Sequence, residues 1–284
     1  MSSTSWNTRN LGLRSGADIA AAASAGVLVA PVITMIDRSI IENASGRATL
    51  RASLANSLRT LLTRPQAFIL TRPFFLIFTL YTGTYVTANT LDTVSSTLRD
   101  APANSVTSGL PKFAATSSAN LALCLYKDSQ FTRLFAAPGA TPRAIPLPTY
   151  ALFTLRDCLT VFASFNVPPI LAPILDERLR HASGTVAAKL RKHVDAASAA
   201  QFVAPAAVQI VSTPMHLLGL DLYNRHDAGW RQRAQKVRRE WFASCLARMG
   251  RIVPAFGVGG VVNMRVRKSL LGRLEDRDPV VLKV

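Results

Sequence analysis

The residues with the clearest capacity for chemistry are Arg156 and Asp157, two adjacent side chains of opposite charge. They are the only charged residues in the stretch 144–175, which is otherwise rich in apolar side chains. The hydrocarbon core of a membrane is about 30 Å thick and is crossed by about 20 mostly apolar residues in a helix. This stretch is therefore long enough to span a membrane. Ionisable residues at such a depth usually face a protein interior or a watery cavity.

Two roles of this pair stay open on the sequence alone. The pair could bind a charged solute or gate its path, or it could be a structural pair that bonds neighbouring helices, since buried ions must be paired. Side chains of adjacent helical residues point about 100° apart. We therefore expect that Arg156 and Asp157 cannot fully satisfy each other, and that each needs a further partner.

Further candidates for a substrate path lie elsewhere in the chain. His216 is the only ionisable residue in the apolar run Ala196–Leu220. It could take up a proton during transport, because histidine titrates near neutral pH, or it could lie at the membrane interface. The other candidates are Arg72, Asn89, Asn166 and Asn263. Each asparagine falls in the second helix of a predicted helix pair, where it could line a pore, although hydrogen bonds between helices are favoured.

Catalytic and cofactor chemistry are not indicated by the sequence. No Ser/His/Asp or paired-carboxylate arrangement is evident, so we predict that the protein is not an enzyme. Cys124, Cys158 and Cys245 have no metal-site spacing, and neither a metal nor another cofactor is expected. The glycine-rich segment 256–260 has the wrong spacing and context for a phosphate-binding loop. Close helix packing is the better interpretation of these glycines.

Composition places the chain among membrane proteins. Charged residues make up 17% of the chain, against about 25% in soluble domains, and 49% of the residues are hydrophobic. The net charge of +17 could indicate a nucleic-acid partner or an anionic lipid surface. Because the basic residues lie between the apolar runs, we predict anionic, cardiolipin-like lipid and an unknown small solute as partners, and no nucleic acid.

The two ends of the chain differ from its centre in composition. Residues 1–16 are predicted to be a disordered tail without a secretory signal. Their arginines and serines, with no acidic residue, also match a mitochondrial presequence, and both interpretations stay open. Residues 269–284 are predicted to be a polar tail. We predict a mitochondrial membrane location, with the inner membrane favoured over the outer.

Six apolar runs between residues 17 and 268 predict the fold. They form three successive pairs, in segments 17–95, 113–178 and 196–268. We therefore predict an all-α membrane protein with six transmembrane helices, arranged as three helical hairpins with a pseudo-threefold repeat around a central cavity. Internal repeats of this kind are typical of transporter folds.

The first and third pairs share an order of parts. A helix rich in alanine and glycine, with a late proline at Pro31 or Pro214, is followed by an acid and an arginine. A basic amphipathic helix follows, predicted over 45–62 and over 229–248. Helices of this pattern lie in the membrane interface. An arginine just before a proline, as at Arg72, then opens the second helix of the pair.

In this layout, residues 17–268 resemble the mitochondrial carrier family, whose members have three repeats of two tilted helices joined by a short matrix helix. The resemblance implies solute transport by a divergent carrier-like protein, or a carrier-derived role without transport. The signature of that family, Pro-x-Asp/Glu-x-x-Lys/Arg, is absent after Pro31 and Pro214. A second resemblance, to sideroflexin-like amino-acid transporters, rests on the arginine, proline and asparagine pattern of the last helix.

The leading functional prediction is solute transport in a mitochondrial membrane. A structural or membrane-organising protein without a substrate is the alternative from another class. The two differ in what they require at Arg156. A transporter should have a polar cavity that reaches this residue, whereas a structural protein should have apolar packing there.

Overall fold

The computed structural model describes residues 6–107, 109–139, 144–181 and 196–277. Within these ranges the regular elements are helices, and none is a strand. A π-helical segment, Val253–Gly259, leads into the last helix. The helices are α1 (Leu11–Ala44), α2 (Leu50–Thr63), α3 (Pro65–Ile69), α4 (Arg72–Leu98), α5 (Leu110–Leu134), α6 (Leu147–Asn166), α7 (Pro168–His181), α8 (Ala196–Ala207), α9 (Gln209–Asn224), α10 (Trp230–Gly250) and α11 (Gly260–Arg277).

Prolines mark the start of several helices. Pro65 begins α3, and Pro73 and Pro148 lie in the first turns of α4 and α6. Proline fits the first turn of a helix because its missing N–H would have no helical partner there. In α4 the hydroxyl oxygen of Thr71 also accepts a hydrogen bond from a backbone N–H of the first turn. The arginine–proline pattern of the sequence thus marks where helices begin.

Among the described residues, three helical stretches are long and apolar enough to cross a membrane by length and composition. They are Leu11–Ala44, which is α1, Phe202–Asn224, which runs from α8 into α9, and Trp230–Glu275, which runs from α10 through the π-helical segment into α11. The prediction of an all-helical membrane protein is supported, but the predicted six-helix threefold repeat is not shown. The second, third and fourth apolar runs form α4, α5 and α6, whose hydroxyl, amide and charged side chains lower their hydropathy. The last span also continues from the helix predicted at the membrane surface over 229–248.

The chain divides into two compact units, each built from segments that are not consecutive. The first unit contains Met1–Thr34, Arg64–Lys127 and Ala255–Val284, and the second contains Met35–Thr63 and Asp128–Pro254. Each of the three predicted repeats therefore contributes residues to both units. The boundaries of the two compact units therefore do not coincide with those of the three predicted repeats.

Small residues allow α1 and α4 to pack closely in the first unit. Ala21, Ala22 and Ala25 of α1 are fully buried. A Cβ atom on Gly26 would overlap the hydroxyl oxygen of Thr82 on α4. Small side chains of this kind let membrane helices approach each other. The alanine and glycine content of the first apolar run is therefore a packing feature.

The start of α1 corrects the prediction of a disordered tail over residues 1–16. The helix already begins at Leu11, and Arg14 is only 1% exposed. The Arg14 guanidinium donates hydrogen bonds to the carbonyl oxygen of Thr93 and to the hydroxyl oxygen of Ser96, both on α4. These bonds hold the first turn of α1 against α4. The sequence does not reveal them, because the acceptors lie about 80 residues away from Arg14 in the chain.

In the second unit, α10 and the residue after it bind acidic side chains of α9 and α1. Arg233 Nη1 donates to Asp221 Oδ2 on α9 at 2.8 Å. Arg251, directly after α10, donates from Nη1 to Asp37 Oδ1 on α1 at 2.7 Å. Asp37 and Asp221 are the acids that follow the two late prolines in the sequence. Both acids therefore help to fix α10 in the second unit.

Candidate functional site

Arg156 and Asp157 lie in a cluster of four buried polar side chains in the second unit. The two residues belong to α6, Asp128 lies near the end of α5, and His216 is on α9. Arg156 is 3% exposed and Asp128 is fully buried. We call these four residues the Arg156 cluster. It unites three of the sequence-predicted candidates with one residue that was not predicted.

The guanidinium of Arg156 makes four hydrogen bonds in this cluster. Its Nε donates to Asp157 Oδ1 at 3.0 Å, and its Nη2 donates to Asp157 Oδ2 at 2.8 Å. Nη2 also donates to Asp128 Oδ2, and Nη1 lies 2.6 Å from Nδ1 of His216. Two-point bonds between a guanidinium and a carboxylate are strong and directional. Arg156 thereby connects α5, α6 and α9.

The expectation that Arg156 needs partners besides Asp157 is confirmed. The long side chain of Arg156 folds back, so that Asp157 accepts two of its hydrogen bonds despite the angle between the two residues on the helix. The further partners that we expected for Arg156 are also present, and they come from α5 and α9.

The contact with Arg156 determines where His216 carries its proton. A guanidinium has only donors and keeps its charge in proteins. Nδ1 of His216 must therefore accept the hydrogen bond with its lone pair, which assigns the proton to Nε2 and makes the imidazole neutral. In this arrangement the cluster holds one positive and two negative charges.

Aromatic packing fixes the position of the cluster. The guanidinium carbon of Arg156 lies 5.2 Å from the ring centroid of Phe153, and the His216 ring lies 5.3 Å from the same ring. Phe153 is fully buried, and a Cβ atom added to Gly219 on α9 would lie 2.7 Å from it. Thr149 of α6 donates to the carbonyl oxygen of Gly219 at 3.0 Å. Helices α6 and α9 therefore approach closely next to the buried charges.

Asp128 is the functional candidate that sequence reasoning missed. It follows Lys127 directly after the third apolar run, and two charges at that place are equally typical of a helix that emerges into water. The sequence did contain a sign that the helix continues past Asp128, because apolar residues follow it at helical spacing, at Phe131, Leu134 and Phe135. Phe131 is fully buried. Asp128 therefore precedes a packed part of α5 and does not mark the end of the helix.

Asn89 and Asn263 form a separate polar contact in the first unit. Each side-chain amide donates to the side-chain oxygen of the other residue at 2.9 Å. Asn89 Nδ2 also donates to the backbone carbonyl oxygen of Asp18 at 3.0 Å. Both asparagines are buried. They bond α4 to α11, which is the arrangement that the sequence favoured over a pore lining.

Buried ion pairs surround the two asparagines. Asp18 Oδ1 accepts a hydrogen bond from Arg267 Nε at 2.7 Å, and its Oδ2 accepts one from the Thr93 hydroxyl at 2.6 Å. Asp92 Oδ1 accepts from Lys112 Nζ at 2.7 Å. Each of these carboxylates faces a cation from another helix, as expected of structural pairs that bond helices within the first unit.

The remaining candidates are placed differently. Arg72 is exposed in the first turn of α4, so it does not share the buried setting of the Arg156 cluster. Asn166 ends α6, and its side chain lies outside the part of the chain that the structure describes. Among the described residues, no group of three or more His, Cys, Asp or Glu side chains could hold a metal ion.

Helices able to span a membrane, with buried charges bonded between them, are typical of membrane transport proteins. A protein-family model described as "Probable citrulline exporter" matches residues 21–271. The chain therefore belongs to the family of probable citrulline exporters. A comparison with curated proteins gave no match.

This family assignment corrects the resemblance to the mitochondrial carrier family, which is wrong for this chain. The matched residues include both late prolines at which the carrier signature could begin. Pro31 is followed by Val32 and Ile33, and Pro214 is followed by Met215 and His216, so the required acid is absent at both positions. Paired helices with basic connecting helices are compatible with any helical membrane protein and do not specify the carriers.

Replacing Gly219 by alanine should destabilise the protein by about 1–3 kcal/mol, because the new Cβ atom would force the buried ring of Phe153 to move. Thermal unfolding in detergent micelles would measure the loss. Gly250→Ala is the matched control, since a Cβ atom there meets nothing within 4 Å. Equal melting temperatures for the two variants would contradict the close approach of α6 and α9.

Replacing Asn89 alone by leucine should destabilise the protein by about 1–2 kcal/mol, because the buried amide of Asn263 loses its partner. The double variant Asn89→Leu with Asn263→Leu should recover most of the stability, since no buried amide is left unpaired. Thermal unfolding of the two variants and the wild type gives the comparison. Additive losses in the double variant would argue against a reciprocal pair.

Proposed function

We propose that the protein exports a small zwitterionic amino acid across a membrane, with citrulline as the substrate. Membership in the family of probable citrulline exporters supports the direction and the substrate. The single observation that carries the proposal is the Arg156 cluster, in which a guanidinium and two carboxylates are buried together. These groups are complementary to the charged groups of a zwitterion.

The chemistry of citrulline agrees with this set of groups. The molecule carries an α-ammonium, an α-carboxylate and an uncharged ureido side chain, so its net charge is zero. In a low-dielectric interior each charged end needs an opposite charge, because an unpaired buried ion is costly. Arg156 can bind the α-carboxylate, while Asp128 or Asp157 can accept hydrogen bonds from the α-ammonium.

The carboxylates of Asp128 and Asp157 both contact Arg156. A second buried arginine, Arg248, lies within electrostatic range of Asp157. An arriving ammonium would compete with these cations for the two carboxylates. The substrate carboxylate would then take the place of one aspartate at Arg156, so that binding exchanges internal bonds for bonds to the substrate.

The proposal extends to the membrane and the partners. A mitochondrial membrane, the inner one above all, is proposed from the basic, serine-containing N-terminal segment and the basic connecting helices. Anionic lipid is the proposed surface partner of these helices. The six-span arrangement remains a prediction of the sequence.

Asp157→Asn should reduce citrulline export by about tenfold or more, because a charge-assisted hydrogen bond is worth about 1.5–3 kcal/mol. Proteoliposomes loaded with labelled citrulline would report the efflux rate. Asp227→Asn is the matched control, since the Asp227 side chain is 85% exposed and outside the cluster. This control should export at the wild-type rate.

A structural role of the cluster has its own support in the burial of Arg156 and its four hydrogen bonds. The triple variant Arg156→Met, Asp128→Asn and Asp157→Asn separates the two roles, because it removes the three charges together and strands none of them. A site for citrulline requires that export is lost while the protein stays folded and inserted. Full export by the triple variant would leave the cluster with a structural role alone.

A further inference from the structure

A groove of about 400 Å³ lies between α9 and α10 in the second unit, apart from the Arg156 cluster. One wall is a stripe on α10 formed by Trp230, Ala234, Val237 and Trp241. These positions are spaced by four, three and four residues, so they follow one face of the helix. Trp230 is 70% exposed. The stripe is therefore an apolar helix face that the second unit leaves accessible.

The other wall of the groove is formed by Pro214, Met215 and Leu218 on α9. Proline at position 214 has no N–H, so the carbonyl oxygen of Ile210 lacks its ordinary helical donor. Trp241 supplies the missing bond, since its indole Nε1–H donates to that carbonyl oxygen at 3.0 Å. This hydrogen bond fixes the Trp241 ring at one end of the groove. The side chain of Trp241 on α10 is therefore fixed relative to α9 by a hydrogen bond.

The polar group at the groove is a cation. Arg238 lines it, is exposed, and makes no ion pair or hydrogen bond with another described residue. Arg231 and Arg239 are exposed on the same helix. The acidic residue in this part of α10 is Glu240. The surroundings of the groove are therefore strongly basic, which favours an anionic occupant.

The position of the groove indicates what kind of anion this is. Its α9 wall belongs to the candidate span Phe202–Asn224, and its α10 wall opens the candidate span Trp230–Glu275. The basic residues thus precede the apolar part of the second candidate span, the position at which membrane helices usually meet the lipid headgroups. Tryptophan and arginine are enriched at this level of the membrane. A volume of about 400 Å³ is within the range of small-molecule sites.

We propose that this groove binds one anionic phospholipid. An acyl chain packs along the stripe of Trp230 and Trp241, and the headgroup phosphate accepts hydrogen bonds from Arg238. The site is independent of the proposed export of citrulline, because it shares no residue with the Arg156 cluster. It gives a specific position to the anionic lipid that the basic composition of the chain predicts.

Native mass spectrometry of the full-length protein in detergent tests this assignment, with phosphatidylglycerol and phosphatidylcholine added at equal concentrations. The wild type should retain one phosphatidylglycerol in preference to phosphatidylcholine. Arg238→Gln should weaken retention by about fivefold, the factor expected from about 1 kcal/mol per basic residue at an anionic surface. Ala234→Trp should abolish it, because the indole fills the groove.

Two matched controls lie on the same helix. Arg239→Gln removes an exposed cation, and Ala243→Trp adds an indole at an exposed position that does not line the groove. Both should retain phosphatidylglycerol as the wild type does. Equal loss in the controls, equal retention of the two lipids, or unchanged binding to Ala234→Trp would each overturn the proposal. A protein dimer that Ala234→Trp dissociates would identify a second copy of the chain as the occupant instead.

Discussion

The arrangement of helices in the second unit depends on the hydrogen bonds of the buried Arg156 guanidinium. A buried arginine that keeps its charge needs acceptors around its whole plane, and α6 alone supplies them only through Asp157. The remaining acceptors come from α5 and α9, so these helices must stand at fixed distances from α6. Such a constraint favours one arrangement of the three helices. Apolar packing alone would allow the helices to slide along one another.

Glycine and aromatic side chains make this constraint possible. The close approach at Gly219 brings the ring of Phe153 against α9, and the guanidinium carbon of Arg156 lies 5.2 Å from the centroid of the same ring. If the cluster also binds citrulline, the same packing positions the guanidinium before the substrate arrives. Preorganisation of this kind reduces the ordering cost of binding.

The sequence predicted those parts of the molecule that follow from local composition. The all-helical class, the starts of helices at prolines and the buried pair at positions 156 and 157 belong to this group. Asp128 could not be identified in the same way, because its importance comes from a contact with Arg156 on another helix. The burial of Arg14 in the first turn of α1 was missed for the same reason, since its hydrogen-bond acceptors lie on α4.

The family could not be derived from the layout of helices either. Late prolines, basic connecting helices and helix pairs are solutions to problems that all helical membrane proteins share, and only the residues of a signature distinguish one family from another. Where Pro31 and Pro214 lack the acid of the carrier signature, this local difference is more informative than the similarity of the whole arrangement.

The hydrogen bond between Trp241 and Ile210 links two positions that are distant in the sequence. Pro214 creates a carbonyl group without a donor, and the indole of Trp241 supplies one. Replacing either residue alone therefore affects this bond. Without the tryptophan, the carbonyl oxygen of Ile210 has no hydrogen-bond donor from the protein, and without the proline, a backbone N–H at position 214 competes with the indole for the same oxygen. Across related exporters, substitutions at positions 214 and 241 should therefore be correlated, and that correlation would reveal the contact from sequences alone.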